Sequence, residues 1–138
     1  MSSVRAKNRS PHRLTVLDKI LDLYEHTTTK TGSEKFKACP AIANRIDDTT
    51  TLIYHYCRSA NEDYDVRVKE EAKVRIELQE KAIEKCLWLK TDIRLAKKKT
   101  HMREKQVIYW TGMVNDVIAI IKAWQKSEIT RYKENHGL

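Results

Sequence analysis

Four stretches of this chain place apolar residues three and four positions apart, which is the spacing of one face of an α-helix. They cover residues 14–28, 42–60, 68–93 and 107–124. Glycine and proline occur only three and two times, so little of the chain is suited to tight turns or to many short strands. We therefore predict an all-α fold, namely an antiparallel up-down four-helix bundle.

The spacing predicts which residues face the core of that bundle. In the first helix they are Leu14, Leu17, Ile20, Leu21, Tyr24 and Thr28. In the second they are Ile42, Ile46, Thr49, Ile53, Cys57 and Ala60. In the third they are Val68, Ala72, Ile76, Gln79, Ile83, Cys86 or Leu87, and Ile93. In the fourth they are Val107, Trp110 or Thr111, Val114, Val117 or Ile118, Ile121 and Trp124.

Breaks in these patterns predict where the helices begin and end. We expect the first helix to stop at Gly32 and the second to begin near Pro40, since proline is tolerated in a first helical turn. The third is expected over about Asp65–Lys97 and the fourth over about Glu104–Lys126, with a polar extension through Tyr132. The predicted organisation is a basic disordered arm at 1–13, the bundle at 14–132 and a flexible tail at 133–138.

The positive charge of the chain is concentrated in two short segments. The formal net charge is +8, of which residues 1–13 carry +4 and Arg94–Lys105 carry +5, leaving −1 for everything else. Such asymmetry favours an anionic partner, although a run of lysines also serves as a solvated surface. The candidate nucleic-acid-binding residues are Arg5, Lys7, Arg9, Arg13, Arg94, Lys97, Lys98, Lys99, Arg103 and Lys105.

The sequence offers no sign of a membrane segment or of an oxidising environment. No apolar run approaches the roughly 20 residues needed to cross a bilayer, and no apolar stretch follows the basic N-terminus as in a secretory signal. The three cysteines are an odd number without C-x-x-C spacing, which predicts free thiols. We therefore expect a cytoplasmic protein.

The patterns that carry catalysis or bind metals are missing from the sequence. A di-metal bundle needs Glu-x-x-His pairs, and the chain has none. Cys57 and Cys86 lie on apolar stripes, where a thiol usually serves as a small buried hydrophobe. The glycines are isolated, so no loop is suited to cradling a phosphate. We expect no enzyme activity, no metal and no cofactor.

Trp110 and Trp124 are two heptads apart and share one face of the predicted fourth helix. With Val114 and Ile121 they are the expected residues of core or oligomer packing. The alternative for the tryptophans is stacking on unpaired bases.

Three stretches resemble a known family: "LTVLDKILDLYEHTTTKTGSEKF", "NEDYDVRVKEEA" and "YWTGMVNDVIAIIKAWQKS". They are similar to the accessory variability determinant (Avd) proteins of diversity-generating retroelements, over about residues 14–132. The resemblance implies a homopentameric barrel that binds the reverse transcriptase of the element and its template RNA or cDNA. Such a protein supports mutagenic reverse transcription, also called mutagenic retrohoming, without being an enzyme.

The chain departs from that family at one place and leaves an alternative open. Where relatives carry a basic-aromatic patch, this chain reads "KFKACPAIANR", with only Lys35, Lys37 and Arg45. This departure weakens the case for nucleic-acid contact at the start of the second helix. The alternative is a structural or regulatory four-helix-bundle oligomer of the type encoded in ribosomal-RNA intervening sequences, which contacts only protein.

Overall fold

The computed structural model describes the backbone of residues 11–136 and the side chains of residues 16–134. Over this range the chain forms four long α-helices and one 3-10 helix, and it contains no β-strand. The helices are α1 (Pro11–Thr31), α2 (Pro40–Glu62), α3 (Lys69–Thr100) and α4 (Glu104–His136), and the 3-10 helix is η1 (Glu34–Ala38). None of these helices has a stretch long and apolar enough to cross a membrane.

Each helix packs against the next one along the chain, and α1 closes the arrangement by packing against α4. Within the described chain the diagonal pairs, α1 with α3 and α2 with α4, make no close backbone contact. The neighbours are antiparallel: Arg75 near the start of α3 meets Glu128 near the end of α4, and Arg94 near the end of α3 meets Glu104. The predicted up-down four-helix bundle is therefore confirmed.

The core lies on the predicted faces of α2 and α4. In α2, Ile46, Ile53 and Cys57 are fully buried. In α4 the fully enclosed side chains include Trp110, Val114, Ile121 and Trp124. All four residues predicted for core or oligomer packing thus lie in the core of the single chain.

The predicted stripe of α1 is rotated by about one residue. The structure buries Val16, Ile20, Leu23 and Thr27, and leaves Leu21 and Tyr24 nearly half exposed. Two apolar stripes lie side by side on this helix, so spacing alone did not separate them. The indole Nε1–H of Trp110 donates to the hydroxyl of Thr27 at 3.1 Å, so the stripe containing this acceptor faces the interior.

The third helix also differs from its prediction. It begins at Lys69 rather than Asp65, because Val68 has an extended backbone (φ −96°, ψ 120°). Val68 is exposed rather than buried, and of the alternatives Cys86 and Leu87 the structure buries Cys86. Gln79 is buried as predicted, whereas the buried residues Arg75 and Asp92 were not predicted. Arg75 and Asp92 can be buried because each forms an ion pair with a neighbouring helix, Arg75 with Glu128 on α4 and Asp92 with Arg45 on α2.

Both ends of the bundle are more helical than predicted. Helix α1 begins at Pro11, inside the expected 1–13 arm, because proline fits the first turn of a helix. Helix α4 runs to His136, through most of the expected tail at 133–138, since no glycine or proline interrupts residues 113–136. The remainder of the predicted arm and tail lies outside the described residues.

Candidate nucleic-acid interface

The up-down topology brings two basic segments to the same end of the bundle. The C-termini of α1 and α3 and the N-termini of α2 and α4 meet there, together with η1. The ring of Phe36 in η1 is almost fully buried and lies 6.0 Å from the ring of Trp110, in the second turn of α4. This contact holds residues 30–37 on the same end as residues 94–105.

These two segments form the feature that we call the basic end. They contain two acidic residues, Glu34 and Glu104, so the formal net charge is +7. The rest of residues 14–138 carries a formal net charge of −3. The nine basic residues of this end are Lys30, Lys35, Lys37, Arg94, Lys97, Lys98, Lys99, Arg103 and Lys105.

Most of these side chains are exposed, and several have no counter-charge. Arg94 and Lys97 share the carboxylate of Glu104, at 3.1 and 3.9 Å. The side chains of Lys98, Lys99, Arg103 and Lys105 form no ion pair with any residue that the structure describes. Lys30 and Lys35 likewise form none, so six of the nine positive charges have no counter-charge among the described residues.

Helix stability explains only part of this charge. Lys97, Lys98 and Lys99 lie in the last turn of α3, where cations complement the helix dipole. Arg103 and Lys105 lie at the N-terminus of α4, where the same dipole disfavours cations. The helix dipole therefore does not account for the charges of Arg103 and Lys105.

A short and well-anchored turn connects α3 to α4 at the basic end. His101 adopts a left-handed conformation (φ 58°), and its N–H donates to the carbonyl of Lys97. The backbone N–H of Met102 donates to the hydroxyl of Thr100 at 3.3 Å, and both side chains are buried. The turn thus places the surrounding cations on a fixed backbone.

The opposite end of the bundle contains an acidic segment. Residues 62–71 carry five acidic and two basic side chains. The backbone of Arg13, in the first turn of α1, belongs to this opposite end, so the structure does not bring it to the basic end. Arg5, Lys7 and Arg9 lie outside the described residues.

Lys30, Lys35 and Lys37 were not predicted as part of this interface. They lie about sixty residues before Arg94–Lys105 in sequence, and only the helix order brings them together. The sequence did not indicate that Lys35 and Lys37 would lie on the same end as Arg94–Lys105, and nucleic-acid contact by these two lysines stays untested. The alternating direction of successive helices is the feature from which this proximity could have been predicted.

The three tryptophans have different environments. Trp110 and Trp124 are fully buried and cannot stack on a base while the chain is folded. Trp88 is 55% exposed on the outer face of α3, with the Nζ of Lys85 4.1 Å from its ring centroid. Of the three, only Trp88 is open to an external ligand.

The candidate metal ligands and thiols of the described residues have the following surroundings. No group of three His, Cys, Asp or Glu side chains among them is placed to hold a metal ion. Cys57 and Cys86 are fully buried, and burial raises the pKa of each thiol, in Cys86 to about 12. A thiol with such a pKa is a poor nucleophile at neutral pH.

No family model, no curated protein and no solved structure matches the chain significantly. The geometry and charge of the basic end are therefore the observations that bear on its role.

Proposed function

We propose that this chain is a non-enzymatic, nucleic-acid-binding adaptor that holds phosphate backbone on its basic end. The observation that carries the proposal is the collection of nine cations from two distant segments on one end of a bundle whose remainder is slightly acidic. Phosphate contacts by lysine and arginine supply affinity without reading sequence. Binding is therefore expected to be insensitive to base sequence and sensitive to salt.

The resemblance to Avd proteins extends this proposal to a biological role. The chain would bind the reverse transcriptase of a diversity-generating retroelement and its template RNA or cDNA, and so support mutagenic reverse transcription. Exposed apolar side chains support a protein partner or a second copy: Leu21 and Tyr24 on α1, and Leu87, Trp88 and Leu95 on α3. A homopentameric ring, with the basic ends of its subunits on one side, is the assembly we propose.

The test is the salt dependence of oligonucleotide binding. We replace Lys97, Lys98, Lys99 and Arg103 together with Gln and measure the affinity for two unrelated RNAs at several salt concentrations. The matched control removes four lysines of α3 that lie outside the basic end, namely Lys69, Lys73, Lys81 and Lys85. The basic-end variant should bind both RNAs more weakly and with a flatter salt slope, whereas the control should resemble the wild type.

A second candidate function is a structural or regulatory oligomer of the ribosomal-RNA intervening-sequence type. The exposed apolar side chains of α3 favour it, because contact with protein alone would cover them. If the basic-end variant binds RNA with the affinity and salt slope of the wild type, the adaptor proposal is overturned. The protein-only function then becomes the better account.

A further inference from the structure

Three shallow grooves on the bundle surface differ in the charge of their lining. The groove between α1 and α4 contains Lys19 with two aspartates, Asp22 and Asp116. The depression along the outer face of α3 contains Lys81 with three glutamates. The groove between α3 and α4 is lined by Lys90, Thr91, Arg94, Thr111 and Asn115, which include two cations and no carboxylate.

The α3–α4 groove adjoins the basic end. Arg94 belongs to both, and Lys90 lies one helical turn before it on the same side of α3. Lys97 follows Arg94 by three residues, so cations recur at each turn from the groove to the end of the helix. The positive surface therefore continues from the basic end along the side of the bundle.

Lys90, Arg94 and Asn115 have N–H groups free to donate to an anion, whereas the two threonine hydroxyls of the groove do not. The hydroxyls of Thr91 and Thr111 donate to backbone carbonyls of their own helices, at 3.3 and 2.9 Å. Lys90 and Asn115 form no side-chain hydrogen bond or ion pair with the described residues. Arg94 uses one nitrogen for Glu104 in an exposed pair, which leaves other N–H groups free.

From this arrangement we infer that one strand of the bound nucleic acid leaves the basic end along the α3–α4 groove and places a phosphodiester between Lys90, Arg94 and Asn115. This inference rests on the proposed function and names the path and form of its ligand. The groove has a volume of about 350 Å³ and lies between two helices whose axes are about 8–10 Å apart. This volume can hold one sugar-phosphate backbone.

Two substitutions distinguish binding of the strand in the α3–α4 groove from non-specific electrostatic attraction to the protein surface. Lys90→Gln removes a cation, whereas Asn115→Leu keeps the charge and fills the groove with an apolar side chain. Lys19→Gln is the matched control, because it removes one lysine from the groove between α1 and α4. The affinity for a fluorescent single-stranded oligonucleotide is measured against salt for each variant and for the fourfold basic-end variant.

The inference expects that Lys90→Gln and Asn115→Leu each lower the magnitude of the salt slope by about 0.7, the value of one phosphate contact in a single strand. Lys19→Gln should leave the slope unchanged. If Asn115→Leu binds like the wild type, the strand does not occupy the groove and the inference is overturned, whatever Lys90→Gln does. If the fourfold variant alone weakens binding, the proposed function stands without the groove. If the fourfold variant also binds like the wild type, both the groove inference and the proposed function are overturned.

Discussion

The guanidinium of Arg75 and the carboxylate of Glu128 form an ion pair inside the bundle, with N–O distances of 2.6 and 2.9 Å. Less than a tenth of either side chain is exposed. Arg75 also donates to the backbone carbonyls of Asn61 and Tyr64, and Glu128 accepts from the indole of Trp124 at 3.1 Å. One buried network therefore ties α3 and α4 to the end of α2 and the loop that follows it.

Removal of one partner of this pair should destabilise the fold strongly. Arg75→Met removes the two short contacts of the buried Glu128 carboxylate and leaves it only the Arg131 guanidinium at 3.7 Å, and breaking a buried pair in this way typically costs about 3–5 kcal/mol. The matched control is Arg94→Met, because both members of the Arg94–Glu104 pair are more than half exposed and such pairs contribute about 0–1 kcal/mol. Urea denaturation measures both. Equal losses in the two variants would contradict a special role for the buried pair.

The indole of Trp110 contributes to stability rather than to ligand binding. Trp110→Ala removes a fully buried ring that packs on Phe36 and donates to Thr27, so we expect a loss of about 3–5 kcal/mol in the free energy of unfolding. Trp110→Phe keeps most of the volume and should lose less. An unchanged melting temperature combined with lost nucleic-acid binding would support a stacking role instead.

The turn at His101 can be improved. This non-glycine residue has a positive φ of 58°, a conformation that costs an ordinary residue roughly 1–2 kcal/mol and glycine very little. His101→Gly should therefore raise the free energy of unfolding by up to about 1 kcal/mol, because the more flexible unfolded chain offsets part of the gain. Chemical denaturation measures this change. A loss of stability would show that the imidazole itself stabilises the turn.

The buried thiols give a pH-dependent prediction. At pH 8, Cys57 and Cys86 should resist alkylation until urea unfolds the chain, because burial raises the pKa of both. An unfolded thiol loses its proton near pH 8.5, whereas folded Cys86 keeps its proton up to about pH 12. The unfolded state therefore binds fewer protons between these values, and stability falls as pH rises through this window. Rapid alkylation of the folded chain at pH 8 would contradict this burial.

Sequence spacing predicted the cores of α2 and α4 because each helix has one dominant apolar stripe. It misplaced α1, where Leu21 and Tyr24 compete with Val16 and Leu23, and only the position of α4 decides between the two sets. The buried ion pair was also missed. Arg75 and Glu128 are 53 residues apart and look like ordinary surface charges until the helices pack.

The candidate site was predicted in part. The segment Arg94–Lys105 stands out in the sequence as a local excess of charge, and the structure exposes most of its basic side chains. Lys30, Lys35 and Lys37 join it only through helix direction and the packing of Phe36. A count of charge over consecutive residues cannot include side chains that only the fold brings together.

The central claim is that nucleic acid contacts one end of the bundle, and site-specific crosslinking tests it most directly. Thr29→Cys places a thiol on the exposed surface of α1 beside Lys30, at the basic end, and Thr130→Cys places one on the exposed surface of α4 near the opposite end. The native cysteines are buried, so each new thiol can be labelled selectively with a photoactivated crosslinker. Irradiation with a labelled single-stranded oligonucleotide should give a crosslinked product from the Thr29→Cys variant and little from the Thr130→Cys variant. Equal crosslinking from both variants, or more from Thr130→Cys, would contradict the account.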